Sequence, residues 1–173
     1  ATGYDFDAVK TGRMTKETVK LDNPAGMQGF VFNLRRDRFD DIHVREALNW
    51  AYDFEWTKKN LFYGQYARTG SFFQGSELAA TGAPSKAELT LLEPLRGQVP
   101  ETVFAPVFQN PITDGSGNIR SHLRKARALL QKAGWEITDG KLQKNGKPFT
   151  IEFLLVQPSF ERIVAPYIKN LAK

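Results

Sequence analysis

Apolar residues recur along this 173-residue chain with two different periods. Val44, Ala47, Leu48 and Ala51 fall three and four apart, which predicts a helix over 42–61 with one apolar face, while Arg45, Glu46 and Asn49 point elsewhere. Asp40 and Asp41 stand before it, and both carboxylates can cap first-turn amides that have no other partner. Trp50, Tyr52, Phe54 and Trp56 make this helix aromatic-rich, which reads as core packing against a sheet with ligand stacking as the alternative, and Gly64 stops it. Helical spacing returns in Leu123, Ala126, Leu129, Leu130 and Ala133, predicting a helix over 121–133 ended by a left-handed Gly134. It returns again in Ile163, Val164, Tyr167, Ile168 and Leu171, predicting a last helix over 160–173 with Ser159 as its cap and Pro166 awkward inside it. A shorter helix over 85–95 is marked by Ser85 with Glu88 three residues on, the spacing of a capping box.

The second period is two. Phe149, Ile151, Phe153 and Leu155 alternate, and two dipeptides that accept positive φ, Asp139-Gly140 and Asn145-Gly146, lie upstream. Together they predict a meander of strands over 135–138, 141–144 and 149–156. Phe30, Val31 and Phe32 are β-formers, so 29–33 reads as a strand ending in Asn33 and a basic turn. Residues 14–21 alternate weakly and read as a strand, and 22–26 (DNPAG) read as a turn. Between the helices, 65–84 sets Tyr66, Phe72 and Phe73 among glycines, with no period to bury the rings. Either that loop folds back on its own domain, or it presents rings to a ligand or a partner lobe. Residues 99–117 are an extended connection rich in Pro and Gly.

Composition narrows the classes. At 41% apolar and 25% charged residues the chain suits one globular domain or one large piece of a bigger protein. The net charge of +5 is moderate; Arg35, Arg36 and Arg38 cluster, as a solvated turn rather than a phosphate site, and no basic stripe interleaved with exposed aromatics suggests nucleic acid. The absence of cysteine excludes disulfides, thiolate metal sites and Cys nucleophiles, and is compatible with an oxidising compartment. No apolar run approaches the roughly 20 residues of a membrane span, and no signal peptide is recognisable. His43 and His122 begin two different helices without metal-ligand spacing, so they read as capping or solvated residues and no metal is expected. No G-x-S-x-G, phosphate loop or G-x-G-x-x-G occurs; Gly115-Ser116-Gly117 is a turn. Neither a catalytic residue nor a cofactor is expected.

Two motifs carry a resemblance. A strand ending in Asn33, a turn and DDIHVREALNWAYD over 40–53 resemble the extracellular solute-binding proteins of the oligopeptide and nickel class, family 5, which serve ABC importers. ARALLQKAGW over 126–135, followed by a strand and a helix, is similar to the family's second signature. NLFYGQYARTGSFF over 60–73 is similar to the branch associated with uptake of microcin C and peptidoglycan-type peptides. The resemblance implies an α/β fold, the second lobe of a class II (cluster C) periplasmic-binding-protein fold with a mixed sheet flanked by helices. Residues 1–28 would lead into the lobe, and 29–173 would form it without its C-terminal part. It further implies a monomeric, non-enzymatic, periplasmic protein that captures peptides or peptide-like solutes and delivers them to the permease subunits of the transporter, with no nucleic-acid partner. The signal peptide would belong to the precursor.

Within that reading the ligand-binding set is Asn33, Tyr66, Phe72, Phe73, Gln157, Ser159 and Arg162. The last three lie in a strand-to-helix turn that borders the cleft in the resembling family. Unpaired amides at such a terminus suit a carboxylate or a peptide carbonyl, Gln157 offers donor and acceptor, and Arg162 offers a bidentate fork. Against this stands a plain helix start, with Ser159 as cap and Arg162 solvated. The competing functional class is a hydrolase acting on peptides or glycans through dispersed residues, which turnover of a peptide library without a transporter would reveal. A structural or chaperone-like module is a third reading.

Overall fold

The computed structural model describes residues 2–19, 23–24 and 26–173. After a single helical turn, α1 (Asp7–Lys10), residues 15–19 and 26–33 run without helix or ladder. The strand expected over 14–21 is therefore not formed where it is described, and Lys20 and Leu21 lie outside the described residues. So do Asp22 and Ala25 of the expected DNPAG turn.

Helix α2 (Ile42–Trp50) begins as its sequence requires: the Asp41 side chain accepts the His43 amide at 2.8 Å. Asp40 does not cap. Its carbonyl, with that of Phe39, accepts from the Arg45 guanidinium at 2.6 and 2.7 Å, which clamps the Asp37–Phe39 turn onto the helix. The single helix expected to residue 61 is two. Asp53 accepts the Trp56 amide at 3.0 Å and starts α3 (Phe54–Leu61), so a capping carboxylate in mid-pattern wins over continuous apolar spacing. The helix ends where Gly64, at φ 78°, returns its amide to the Lys58 carbonyl at 2.9 Å.

Helix α4 (Lys86–Leu92) carries the expected capping box: Ser85 Oγ accepts the Glu88 amide, and the Glu88 carboxylate accepts the Ser85 amide. It buries no residue fully, with Leu89 and Leu92 half-buried, so its capping chemistry weighs heavily in holding it. Ser85→Ala should speed hydrogen exchange of the α4 amides about fivefold while the core amides stay protected. Unchanged protection in α4 would show the box to be idle.

Helix α5 (Arg120–Lys132) packs along α2, burying Ala126. It closes at Gly134 (φ 79°), and the Trp135 amide bonds to the Leu130 carbonyl at 2.9 Å. The meander follows as β1 (Glu136–Thr138), β2 (Lys141–Lys144) and β3 (Lys147–Pro148), all antiparallel, with Ile137 opposite Leu142 and Lys144 opposite Lys147. Both predicted turns are present, with positive φ at Asp139, Gly140, Asn145 and Gly146.

The third strand differs. Its ladder stops at Pro148, followed by one bond from the Phe149 amide to the Leu142 carbonyl. Residues 149–155 stay extended and keep the expected alternation: Phe149, Ile151, Phe153 and Leu155 are half-buried. The 29–33 segment, the other expected strand, lies alongside, with Phe30 edge-on to Phe153 at 5.9 Å. Neither segment enters a ladder among the described residues. Thr150 instead gives its carbonyl and hydroxyl oxygens to Arg38. The mixed sheet expected from the resemblance is thus, among the described residues, a small antiparallel one.

Helix α6 (Glu161–Leu171) grows out of a 3-10 turn, Pro158–Phe160. Ser159 is inside that turn and makes no capping bond, because Phe160 takes the cap position. Pro166 is nonetheless accommodated within the helix. The Tyr167 hydroxyl donates to the Leu48 carbonyl at 2.8 Å, joining α6 to α2. The core so assembled is Phe39, Val44, Leu48, Ala133 and Trp135, flanked by Phe32, Leu130, Leu142, Phe149, Ile151 and Leu171. Among the described residues no helix is long and apolar enough to cross a membrane.

Candidate functional site

The start of the glycine-punctuated loop meets the start of α6. Phe62, which follows α3, is the hinge of this meeting: the Tyr66 ring packs on it with centroids 4.6 Å apart, and the Arg162 guanidinium sits 5.4 Å from its centre. Tyr66 is 56% exposed. Arg162 is exposed and makes no ion pair among the described residues, so its fork is open to solvent. One turn back, Gln157 and Ser159 are exposed in the 3-10 turn whose Phe160 ring stands edge-on to Phe30 at 6.3 Å.

That contact brings the 29–33 segment beside the turn. Asn33 at its end is exposed, and its side-chain oxygen already accepts the Arg35 amide at 3.2 Å, which leaves the amide nitrogen for other partners. Phe72 and Phe73 stand apart. Phe72 is 80% exposed, and the pair sits on a small turn in which Ser71 Oγ accepts the Phe73 amide. Of the seven predicted residues, the fold therefore joins Tyr66 and Arg162 through Phe62, sets Gln157 and Ser159 at the turn that leads into the helix of Arg162, and leaves Asn33 and the Phe72–Phe73 pair outside that contact.

Several residues that position this surface escape a sequence reading. Arg68, in the same loop, is folded inward: it donates to the Pro111 carbonyl at 2.9 Å and to the Asn49 side-chain oxygen, and lies over the rings of Tyr52 and Phe54 at 5.6 and 5.7 Å. Asn110 donates to the Thr69 carbonyl at 3.2 Å and accepts from Asn49 at 3.3 Å. The loop is thereby sewn to α2 and to the 110–111 connection. Desolvation lowers the Arg68 pKa, and nearby Tyr52 and Glu55 oppose the shift. Burial pushes the hydroxyls of Tyr52 and Tyr167 above the ordinary tyrosine range. The available signal was that Arg68 is the lone charge in an aromatic stretch, 64–76, that contains no acid.

A second anchor is Asp53. Besides capping α3, its Oδ1 accepts from the Thr113 hydroxyl, while Oδ2 is buried with no hydrogen-bond partner among the described residues. The following turn presses on α3: Gly117 is at φ 84°, and a Cβ there would come within 3.2 Å of the Trp56 ring. An open cleft of about 540 Å³ lies here, edged by Glu55, Lys58, Lys59, Tyr63 and Asp114, both signs of charge together. Of the sequence candidates outside the site, His43 shares the Asp41 cap at 2.9 Å, and His122 is not solvated but edge-on to Trp50 at 4.8 Å.

Residues 4–173 match the family described as bacterial extracellular solute-binding proteins, family 5 Middle. A protein of Brucella melitensis, whose name is that of a binding protein with no ligand stated, is 45% identical over 172 residues, 98% of this chain and 28% of its own. A protein of Agrobacterium fabrum named "Probable peptide-binding protein YejA" is 42% identical over 176 residues, 99% of this chain and 29% of its own. Another from the same organism, named peptidoglycan-binding protein YepA, is 39% identical over 170 residues, 97% of this chain and 28% of its own. The chain thus spans less than a third of the length of these curated relatives.

Proposed function

Because the chain belongs to the bacterial extracellular solute-binding proteins of family 5, we propose that it forms part of the peptide-capturing lobe of an ABC-importer binding protein. The whole protein would take up peptides or peptide-like solutes in the periplasm, as a monomer, and hand them to the permease subunits. Residues 29–173 would be most of the second lobe of the family's two-lobed α/β fold. Peptidoglycan-derived and microcin-type peptides are the ligand classes that the relatives' names and the 60–73 wording favour. Capture would work by closure of two lobes, a population shift driven by the ligand's higher affinity for the closed form.

The observation that carries this reading is the Tyr66–Phe62–Arg162 cluster. It offers an exposed ring for stacking and an open guanidinium for a carboxylate, held by two different elements. In the full-length protein Arg162→Ala should weaken an acidic peptide by about 1.5–3 kcal/mol, the range for hydrogen bonds to a charged group. The melting temperature should stay nearly constant. Titration calorimetry, with the ligand first identified by mass spectrometry of what co-purifies, reads both quantities. Unchanged affinity on removal of Arg162 and of the Tyr66 ring would place the ligand elsewhere.

A further inference from the structure

Helix α5 carries a charge pattern that neither the core nor the ligand surface uses. Arg120, Arg124 and Arg127 are spaced four and three apart, so they form one stripe, which Gln131 continues. Lys125 and Lys132 flank it, and all five cations are exposed. No acidic residue occurs between Asp114 and Glu136. Among the described residues none of the five is in an ion pair. Lys125 is turned toward the Trp50 ring, 4.4 Å away, while the side chains of the three arginines are exposed and make no ion pair among the described residues. The opposite face, with Ala126 and Ala133 buried, is taken up by α2.

We propose that this face of α5 docks the protein on an anionic membrane surface. The partner's chemistry follows from what the stripe contains and what it lacks. Like charges one turn apart repel, and among the described residues no carboxylate pairs with them. Guanidinium groups match phosphodiester oxygens with two parallel hydrogen bonds. The exposed residues between them are Ser121, Ala128 and Gln131. They supply no aromatic or apolar anchor of the kind that dominates protein interfaces, and no ring on which a base could stack. What remains is a flat row of charges over about 10 Å from Arg120 to Arg127, at about 1.5 Å per residue. Such a row suits a diffuse field of lipid phosphates, and because the apolar face of α5 is occupied the helix would rest on the headgroups without inserting.

Co-sedimentation of full-length protein with vesicles tests this. Binding is expected to phosphatidylglycerol-containing vesicles at about 50 mM salt, falling as the screening length shortens at higher salt, and not to pure phosphatidylcholine. The R120Q/R124Q/R127Q variant should lose about a hundredfold in partitioning, near fivefold per cation, with its melting curve unchanged. A charge-matched variant on other surfaces, K141Q/K147Q/K169Q, should keep most of the binding. Equal loss in both variants would reduce the effect to net charge and overturn the proposal. So would failure of the wild type to bind anionic vesicles, equal binding to neutral ones, or a loss in the arginine variant confined to permease reconstituted in neutral lipid or to DNA.

Discussion

Arg68→Ala is expected to destabilise the full-length protein by about 2–4 kcal/mol and to open the 65–84 loop to proteases. The substitution removes two charge-assisted hydrogen bonds, each of about 1.5–3 kcal/mol, and the contact with the rings of Tyr52 and Phe54, about 0.5–2 kcal/mol. It also leaves the half-buried Asn49 oxygen without its guanidinium donor. Relief of a desolvated charge works the other way and keeps the net below the sum of these terms. Arg68→Lys should recover little, since a single ammonium cannot bridge the Asn49 and Pro111 acceptors with the same geometry or cover two rings. Urea unfolding reads the stability, and limited proteolysis reads the loop. A change under about 0.5 kcal/mol with an unaltered cleavage pattern would mean that Asn110 alone secures the loop.

Trp135→Ala should be costlier still, about 3–5 kcal/mol, the range for deleting a large aromatic from a packed site. The ring is 8% exposed, stands edge-on to Phe149 at 4.7 Å, and belongs to the core of Phe39, Val44, Leu48 and Ala133. Its deletion strips the seam where α5, the meander and α2 come together, leaving little nearby that can collapse into the gap. Trp135→Phe should lose less than half as much, because it keeps the edge-on partner for Phe149. Denaturant midpoints measured at constant m-value give the comparison. Near-equal losses for the two variants would show that the indole, rather than ring volume, is what the site requires.

These two residues show what the sequence disclosed and what it withheld. Trp135 lies in the ARALLQKAGW motif, and the VREAL motif places Val44, Ala47 and Leu48 in the interior. Both motifs that carried the family resemblance are thus packing devices, legible because burial and left-handed caps leave periodic, local marks. The same locality made the capping box at Ser85 and the two hairpin turns readable. Pairing is not local. The alternation of Phe149, Ile151, Phe153 and Leu155 correctly gave a half-buried face, but no periodicity reports whether a neighbouring strand pairs with it, and the ladder ends at Pro148. The other side of this run is apolar as well, with Leu154 90% and Val156 83% exposed. Arg68 was missed for a related reason: its partners, Asn49 and Pro111, are distant in sequence and neutral. Of the ligand set, the meeting of Tyr66 with Arg162 depends on Phe62, which pattern alone assigned to a helix end.

The Tyr167–Leu48 bond spans 119 positions, and Leu48 shares its core with Trp135 and Leu171. The consequence is a delay during synthesis. At about 5–20 residues per second, roughly 6–24 s pass between the emergence of α2 and that of the helix that closes over it. Helix α5 can pack on α2 within that interval, but the core around Leu48 stays unfinished until α6 arrives.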